Sequence, residues 1–387
     1  MKKETIWNRN YLLVFIVNIL TAFSFHILTP SIPKYVVSIG SGLEIAGFCA
    51  TAFTIAAIIT RPFAGYYIDI KCKKKILLAS MAVITLSILG YALSHHVALI
   101  ILFRLMHGVG WGMTTTANSS IMVASLPEGR IGRGVGLFGI ASSLASVFAP
   151  NLGLQLIEYF GYFAMFMIAF LLAATGCALS AAIDEGSLNK TAGQKEKKRI
   201  LDSFFAKEAL VPAFTILSVG LGMATISNFI VLYAEKLQVS GIGYYFTVAG
   251  AVMLIMRPLF GRLSDSKYSR LIIFGALFGY MGVFVVLGAA RTLSLFLLAA
   301  VLYGTFYGAL CPIVQTWCVK AVGISKSGTA NSIYYTALDI GQGLGASLGG
   351  ILSVRMGYSK MYFLMIVPQI CAILIIILTK SLKKQQL

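Results

Sequence analysis

A chain of 387 residues with 58% hydrophobic and only 11% charged side chains has less than half the charge of a soluble domain, which is roughly 25%. Its mean hydropathy of +0.87 excludes a water-soluble fold of this length, since no such fold could hide that much apolar surface. The net charge of +18 sits in short basic runs between long apolar stretches, a membrane-topology pattern that argues against nucleic acid as a partner.

A membrane-crossing helix needs about 20 largely apolar residues. In chain order the sequence predicts spans at Tyr11–Pro33, Leu43–Tyr67, Ile76–Leu93, Val97–Val123, Val135–Ile157 and Tyr162–Ile183. The first is too long for a signal-peptide core and lacks a small-residue cleavage site, so it is read as a span. A polar stretch rich in Lys, Gln and Gly follows, and then six more spans. These are Ala209–Leu232, Ile242–Leu263, Leu271–Ala290, Leu293–Val319, Gly328–Val354 and Met361–Leu378. The expected fold is an all-α membrane protein of twelve transmembrane helices. It divides into an N-terminal half (1–183), a cytoplasmic linker (184–208) and a C-terminal half (209–387).

Loop charges orient the chain. Lys2, Lys3 and Arg9, then Lys71 and Lys73 to Lys75, then Arg130 and Arg133 fall on one side, with Lys190, Lys195, Lys197, Lys198, Arg199 and Lys207 of the linker. Arg262, Lys267, Arg270, Lys320, Lys326, Lys380, Lys383 and Lys384 complete that set, whereas the other side holds only Lys34, Lys236, Arg291, Arg355 and Lys360. The positive-inside bias therefore places both termini in the cytoplasm, in a bacterial inner membrane. The six cysteines lie mostly within apolar segments and form no C-x-x-C pair, so no metal, disulfide or cofactor is expected.

The two halves repeat. Arg61-Pro62-Phe63-Ala64-Gly65 with Asp69 returns as Arg257-Pro258-Leu259-Phe260-Gly261 with Asp265, at an offset of 196 residues. The same offset carries Gly108 and Gly112 onto Gly304 and Gly308, Gly153 onto Gly349, and Gly161-Tyr162 onto Gly357-Tyr358. Six spans per half give parallel repeats, an architecture that binds solute near the membrane midplane in secondary transporters. On these residues the chain resembles the major facilitator superfamily over its whole length. Gly65-x-x-x-Asp69 with Lys73-Lys74-Lys75 is similar to that superfamily's signature loop, although Ile70 stands where a basic residue is common and Cys72 replaces a glycine. The resemblance implies a gating role for Gly65, Asp69, Lys73 and the duplicated Asp265, with Glu128 and Arg133 as relay partners. The alternative is that the lysines only set topology.

Arg104-x-x-His107-Gly108-x-x-x-Gly112 resembles the family's fourth-span motif linked to proton coupling, with His107 where Gln is frequent. In span 5 a degraded exporter signature survives as Gly136, Ala145, Ala149-Pro150 and Gly153. Pro150 is grouped with the gating residues, although small residues also serve close packing. Spans 1, 4, 7 and 10 line the cavity in this superfamily. The implied substrate residues are Arg104, His107, Trp111 and Asn118 on span 4, and Phe25 and His26 on span 1. Asn228 on span 7, Tyr303 and Tyr307 on span 10, and Tyr335 beside Asp339 join them. A lone Asn in a span is as often interhelical glue as ligand contact.

Asp339 lies 13 residues beyond Lys326, about 20 Å down the helix at ~1.5 Å per residue, and is the one carboxylate expected deep in a span. With Arg104 it forms the proton-coupling pair of this reading, the alternative being a satisfied aspartate in a glycine-loosened helix. Arg104, His26 and His107 without an acid on spans 1 and 4 favour a neutral, zwitterionic or anionic solute. No G-x-x-x-x-G-K-[ST] phosphate loop exists, and His95-His96 has no acidic companion, so neither an ATP-driven pump nor a membrane enzyme is expected. A monomeric proton-coupled antiporter exporting a small organic molecule leads, with uptake by symport as the alternative.

Overall fold

The computed structural model describes residues 6–41, 43–70, 72–186, 188, 206–266 and 269–379, without the side chains of 43, 44, 46, 47, 50, 128 and 270. Among the orienting lysines and arginines, 2, 3, 71, 190, 195, 197–199, 267, 380, 383 and 384 lie outside this set. So do the side chains of Arg270 and Glu128 and most of the linker.

No strand occurs among the described residues. In hydrocarbon a backbone must satisfy its own polar groups, and an apolar chain does so as helix. The helices are α1 (Arg9–Ser38), α2 (Leu43–Ile70), α3 (Lys73–Leu93), α4 (Val97–Ala124) and α5 (Ile131–Ser180). They continue with α6 (Leu210–Lys236), α7 (Gly243–Leu263), α8 (Ser269–Ala289), α9 (Leu293–Val322), α10 (Ser327–Leu364) and α11 (Ile366–Leu378). Nine helical segments among the described residues are long and apolar enough to cross a bilayer, and two of them, of 50 and 55 residues, are long enough for two crossings each. With the 28-residue α2 this is consistent with twelve crossings.

The two long segments are broken at repeat-related glycines. Gly161 in α5 has φ 79° and Gly357 in α10 has φ 83°. Both lie in the left-handed region that glycine enters without a Cβ penalty. A single residue therefore makes the turn where the sequence pattern suggests a short loop.

The chain forms two compact units. Unit 1 comprises Met1–Glu128, Ala141–Phe204 and Gly323–Ser332; unit 2 comprises Gly129–Ile140, Phe205–Val322 and Ile333–Leu387. The start of α5 thus belongs to unit 2, and the start of α10 to unit 1. In unit 1, α4 packs on α1, α2 and α3. Gly108 and Gly112 lie against the carbonyls of Phe53 and Ala57, so α2 and α4 touch backbone to backbone. In unit 2, α9 packs in the same way on α7 and α8, with Gly304 against the Ala249 carbonyl. Large apolar side chains such as Ile59, Leu86, Leu171, Ile255, Leu271 and Val354 are exposed, as a lipid-facing surface requires.

Candidate substrate and gating sites

In unit 1, α4 presents Arg104, His107 and Trp111 along one face at steps of three and four residues. Arg104 is buried, donates from Nε to the Cys49 carbonyl at 3.1 Å, and lies with its guanidinium carbon 4.6 Å from the Phe53 ring centroid. His107 is buried one turn on, its Nδ1 3.2 Å from the Tyr91 hydroxyl, which also donates to the Phe103 carbonyl. Phe25 stacks on Trp111 at 4.1 Å and meets His26 edge-on at 5.2 Å. Phe53 closes the group at 5.3 Å from both Phe25 and His107.

The structure brings together five of the expected residues, Phe25, His26, Arg104, His107 and Trp111, and adds Phe53, Tyr91 and the Cys49 carbonyl. Asn118 is buried further along α4, with an Oδ1 that has no partner among the described residues. Thr115 accepts from Arg61 at 2.7 Å, whereas Thr114 donates to Ser80 at 2.8 Å.

Unit 2 carries a different surface at the repeat-related positions. Tyr303 and Tyr307 stack at 5.0 Å, with Tyr280 at 6.3 and 6.4 Å and Tyr245 6.3 Å from Tyr303. Tyr307 donates to the Met223 sulfur, and Gln315 reaches the Tyr335 hydroxyl at 3.4 Å. Asn228 donates to the Ala224 carbonyl one turn back in its own helix, the behaviour of an intrahelical bond. Asp339 is half-buried on α10. Beside it, Gly341 and Gly345 lie against the carbonyls of Leu217 and Leu221, so the glycine run seats α10 on α6.

The motif aspartates are helix caps. Asp69 accepts from the Gly328 N–H at 2.8 Å, the Thr329 N–H at 3.0 Å and the Thr329 hydroxyl at 2.5 Å, at the first turn of α10. Asp265 accepts from the Gly132 and Arg133 N–H groups, both at 3.0 Å, at the first turn of α5, with Lys320 at 3.4 Å. A carboxylate is favoured there because unpaired N–H groups and the helix dipole converge on it. Gly65 lies under Ser332, whose hydroxyl donates to the Arg61 carbonyl; a Cβ on Gly65 would sit 2.7 Å from the Ser332 Cβ. Lys73 donates to the Ile68 carbonyl at 3.2 Å and to Ser120 at 3.1 Å, and Ser120 pairs with Ser327 at 2.7 Å. Arg133 meets Asp265 through its main chain, while its buried Nε has no partner among the described residues. Pro150 lies in the first limb of α5, where Gly153 packs against the Ile27 carbonyl of α1. Cys72, between α2 and α3, touches the Glu185 carboxylate. Among the described residues no His/Cys/Asp/Glu cluster could hold a metal.

Apolar helices in two repeat-related sets, each with a capped motif loop and a buried polar-aromatic cluster, define a membrane transporter. The Major Facilitator Superfamily profile matches residues 14–346, and the chain belongs to that superfamily. It is a multi-pass membrane transporter of small molecules rather than an enzyme. Its relatives include the multi-drug resistance efflux pump PmrA homolog of Lactococcus lactis, 25% identical with 91% of each chain covered. Another is the multidrug resistance protein MdtG of Enterobacter lignolyticus, 24% identical over 92% of this chain and 88% of that one. The fold is shared with the human organic anion transporter MFSD10 (TM-score 0.77, 17% identity, 94% and 98% covered). It is shared equally with the proton:xylose symporter XylE (TM-score 0.78, 15% identity, 95% and 94% covered).

Proposed function

We propose that the protein exports a small organic molecule in exchange for protons, by alternating access, as a monomer in the bacterial plasma membrane with both termini cytoplasmic. The observation that carries this reading is the pair of buried ionisable groups Arg104 and His107 beside the half-buried Phe25–Trp111 stack, in a chain similar along its length to efflux pumps. Ionisable groups inside a bilayer cost several kcal/mol, about 2.5–3.5 on insertion scales, and persist where function needs them. We assign substrate contact within unit 1 to Phe25, His26, Arg104, His107 and Trp111, and within unit 2 to Tyr303, Tyr307 and Tyr335. Asp339 takes up and releases the coupled proton. The caps made by Asp69 and Asp265, with Gly65, Lys73, Arg133 and Pro150 around them, hold one conformation of the cycle and release in the other.

The test is proton flux in proteoliposomes under an imposed pH gradient, challenged with organic cations, neutral compounds and organic anions. Export predicts that an inward proton gradient drives solute out, and that Asp339→Asn abolishes gradient-driven transport while binding persists. Solute accumulating with the protons would replace antiport by symport. Unimpaired coupling in Asp339→Asn would remove that residue from the scheme.

A further inference from the structure

We infer that Arg104 anchors the acidic group of the solute, so that the transported compounds are amphipathic organic anions with a flat apolar body. This deepens the proposed function, because it assumes that the unit 1 cluster contacts substrate.

Arg104 is 6% exposed, and its hydrogen bond to the Cys49 carbonyl is to a neutral group, which does not cancel the guanidinium charge. The Phe53 face beneath it offers a cation–π contact, which supports the charge without cancelling it. No carboxylate among the described residues lies within ion-pair distance of it. The described acids of unit 1, Asp69, Glu158, Asp184 and Glu185, all stand at or near helix ends or breaks. Nearest along the face is His107, which adds no negative charge. A buried cation without a fixed counter-charge is costly unless a partner arrives, and an arginine fork suits a carboxylate or similar planar anion.

The partner's apolar part is set by the same helix. Trp111 lies seven residues from Arg104, about 10 Å along α4 at ~1.5 Å per residue. Trp111 and its stacking partner Phe25 are both only half-buried. An anion bound at Arg104 therefore runs its body along Phe53 towards the Phe25–Trp111 stack. A lipophilic cation would place its charge against the guanidinium or leave the stack.

The chain has three tryptophans, so Trp7→Phe with Trp317→Phe leaves Trp111 as the only emitter. The full-length protein in lipid nanodiscs is titrated with three near-isosteric heavy-atom quenchers: 4-bromobenzoate, 4-bromobenzyl alcohol and 4-bromobenzylammonium. The expected result is saturable quenching by the benzoate, at least about tenfold tighter than by the ammonium. Arg104→Gln should weaken the benzoate about 10- to 100-fold, as loss of a charge-assisted pair does, with the alcohol changed less than about threefold. Arg104→Lys should recover part of the loss. Tighter binding of the ammonium, no saturable benzoate binding to folded protein, or benzoate binding indifferent to Arg104→Gln would each overturn the inference. Calorimetry on the protein with all three tryptophans repeats the titration where the double replacement fails to fold. Binding carries no direction, so failure of export in the flux assay leaves this result standing, and the reverse holds as well.

Discussion

Asp69→Asn probes the cap at the start of α10. The carboxylate accepts three donors, the Gly328 and Thr329 N–H groups and the Thr329 hydroxyl. Asparagine keeps one acceptor oxygen and turns an NH2 towards the remaining donors, and the negative charge at the helix N-terminus is lost. A charge-assisted hydrogen bond contributes about 1.5–3 kcal/mol and a charge at a helix terminus about 0.3–1 kcal/mol. A loss of about 2 kcal/mol shifts the equilibrium between capped and uncapped states by about thirtyfold. Ser332 reports it, because it is 1% exposed, donates to the Arg61 carbonyl and packs on Gly65. In a cysteine-free background carrying Ser332→Cys, a water-soluble maleimide should alkylate Cys at 332 slowly, and about thirtyfold faster after Asp69→Asn. Asp265→Asn, which takes the charge and one acceptor oxygen from the Gly132 and Arg133 N–H groups of α5, should leave that rate nearly unchanged, since the Ser332 contacts belong to the other cap. An alkylation rate insensitive to Asp69→Asn would refute the idea that the cap holds this contact closed.

Gly108→Ala should lower the thermal midpoint, because its Cβ would drive into the Phe53 carbonyl and Ala56, a clash costing about 1–3 kcal/mol. Gly275→Ala meets open space and should gain about 0.5–1 kcal/mol in the same melt. Gln369 is fully buried and pairs with Ser218 in both directions, at 2.8 and 3.1 Å. A double-mutant cycle of Gln369→Leu with Ser218→Ala should give a coupling of about 1 kcal/mol, and zero coupling would reduce the pair to packing. Burial and the Glu185 carboxylate both raise the Cys72 thiol above its ordinary pKa, so less thiolate is present at neutral pH. Its iodoacetamide rate should therefore climb only at higher pH, and Glu185→Gln should move that rise to lower pH; an unmoved profile would break the assignment.

The spans and their doubling were legible because hydropathy and a fixed offset are properties of the chain itself. The residues on α4 were legible for a similar reason, since polar side chains at three- and four-residue steps stand out in an apolar helix. The partners of the motif aspartates were not. Asp69 binds Gly328 and Thr329 mainly through backbone N–H groups, which every residue but proline carries, so no residue type 259 positions away marks them. Phe53 and Tyr91 were invisible for another reason. An aromatic in an apolar span looks like core until the packing of α2 and α3 on α4 turns it towards Arg104 and His107. The turns at Gly161 and Gly357 were half legible: the glycines recur at the repeat offset, but only their positive φ shows that one residue suffices.

Where the repeat holds and where it fails separates scaffold from chemistry. The caps, the Arg-Pro segments and the glycines at helix crossings recur at the same offset, and the geometry of the caps recurs with them: Asp69 on Gly328 and Thr329, Asp265 on Gly132 and Arg133. These positions satisfy backbone groups and close approach, demands that any copy of the fold must meet. The buried cluster breaks the repeat. Arg104 corresponds to Ala300, His107 to Tyr303 and Trp111 to Tyr307, while Asp339 corresponds to Ser143. Packing alone gives no reason to place a cation in one unit and a carboxylate in the other at non-equivalent positions. A transporter that must neutralise a solute at one point and a proton at another does give one. On that argument Ala300→Arg, which restores the repeat at a fully buried position, should impair transport more than Ala300→Met, which brings a long side chain without the charge. Equal activity of the two variants would mean that the asymmetry is incidental.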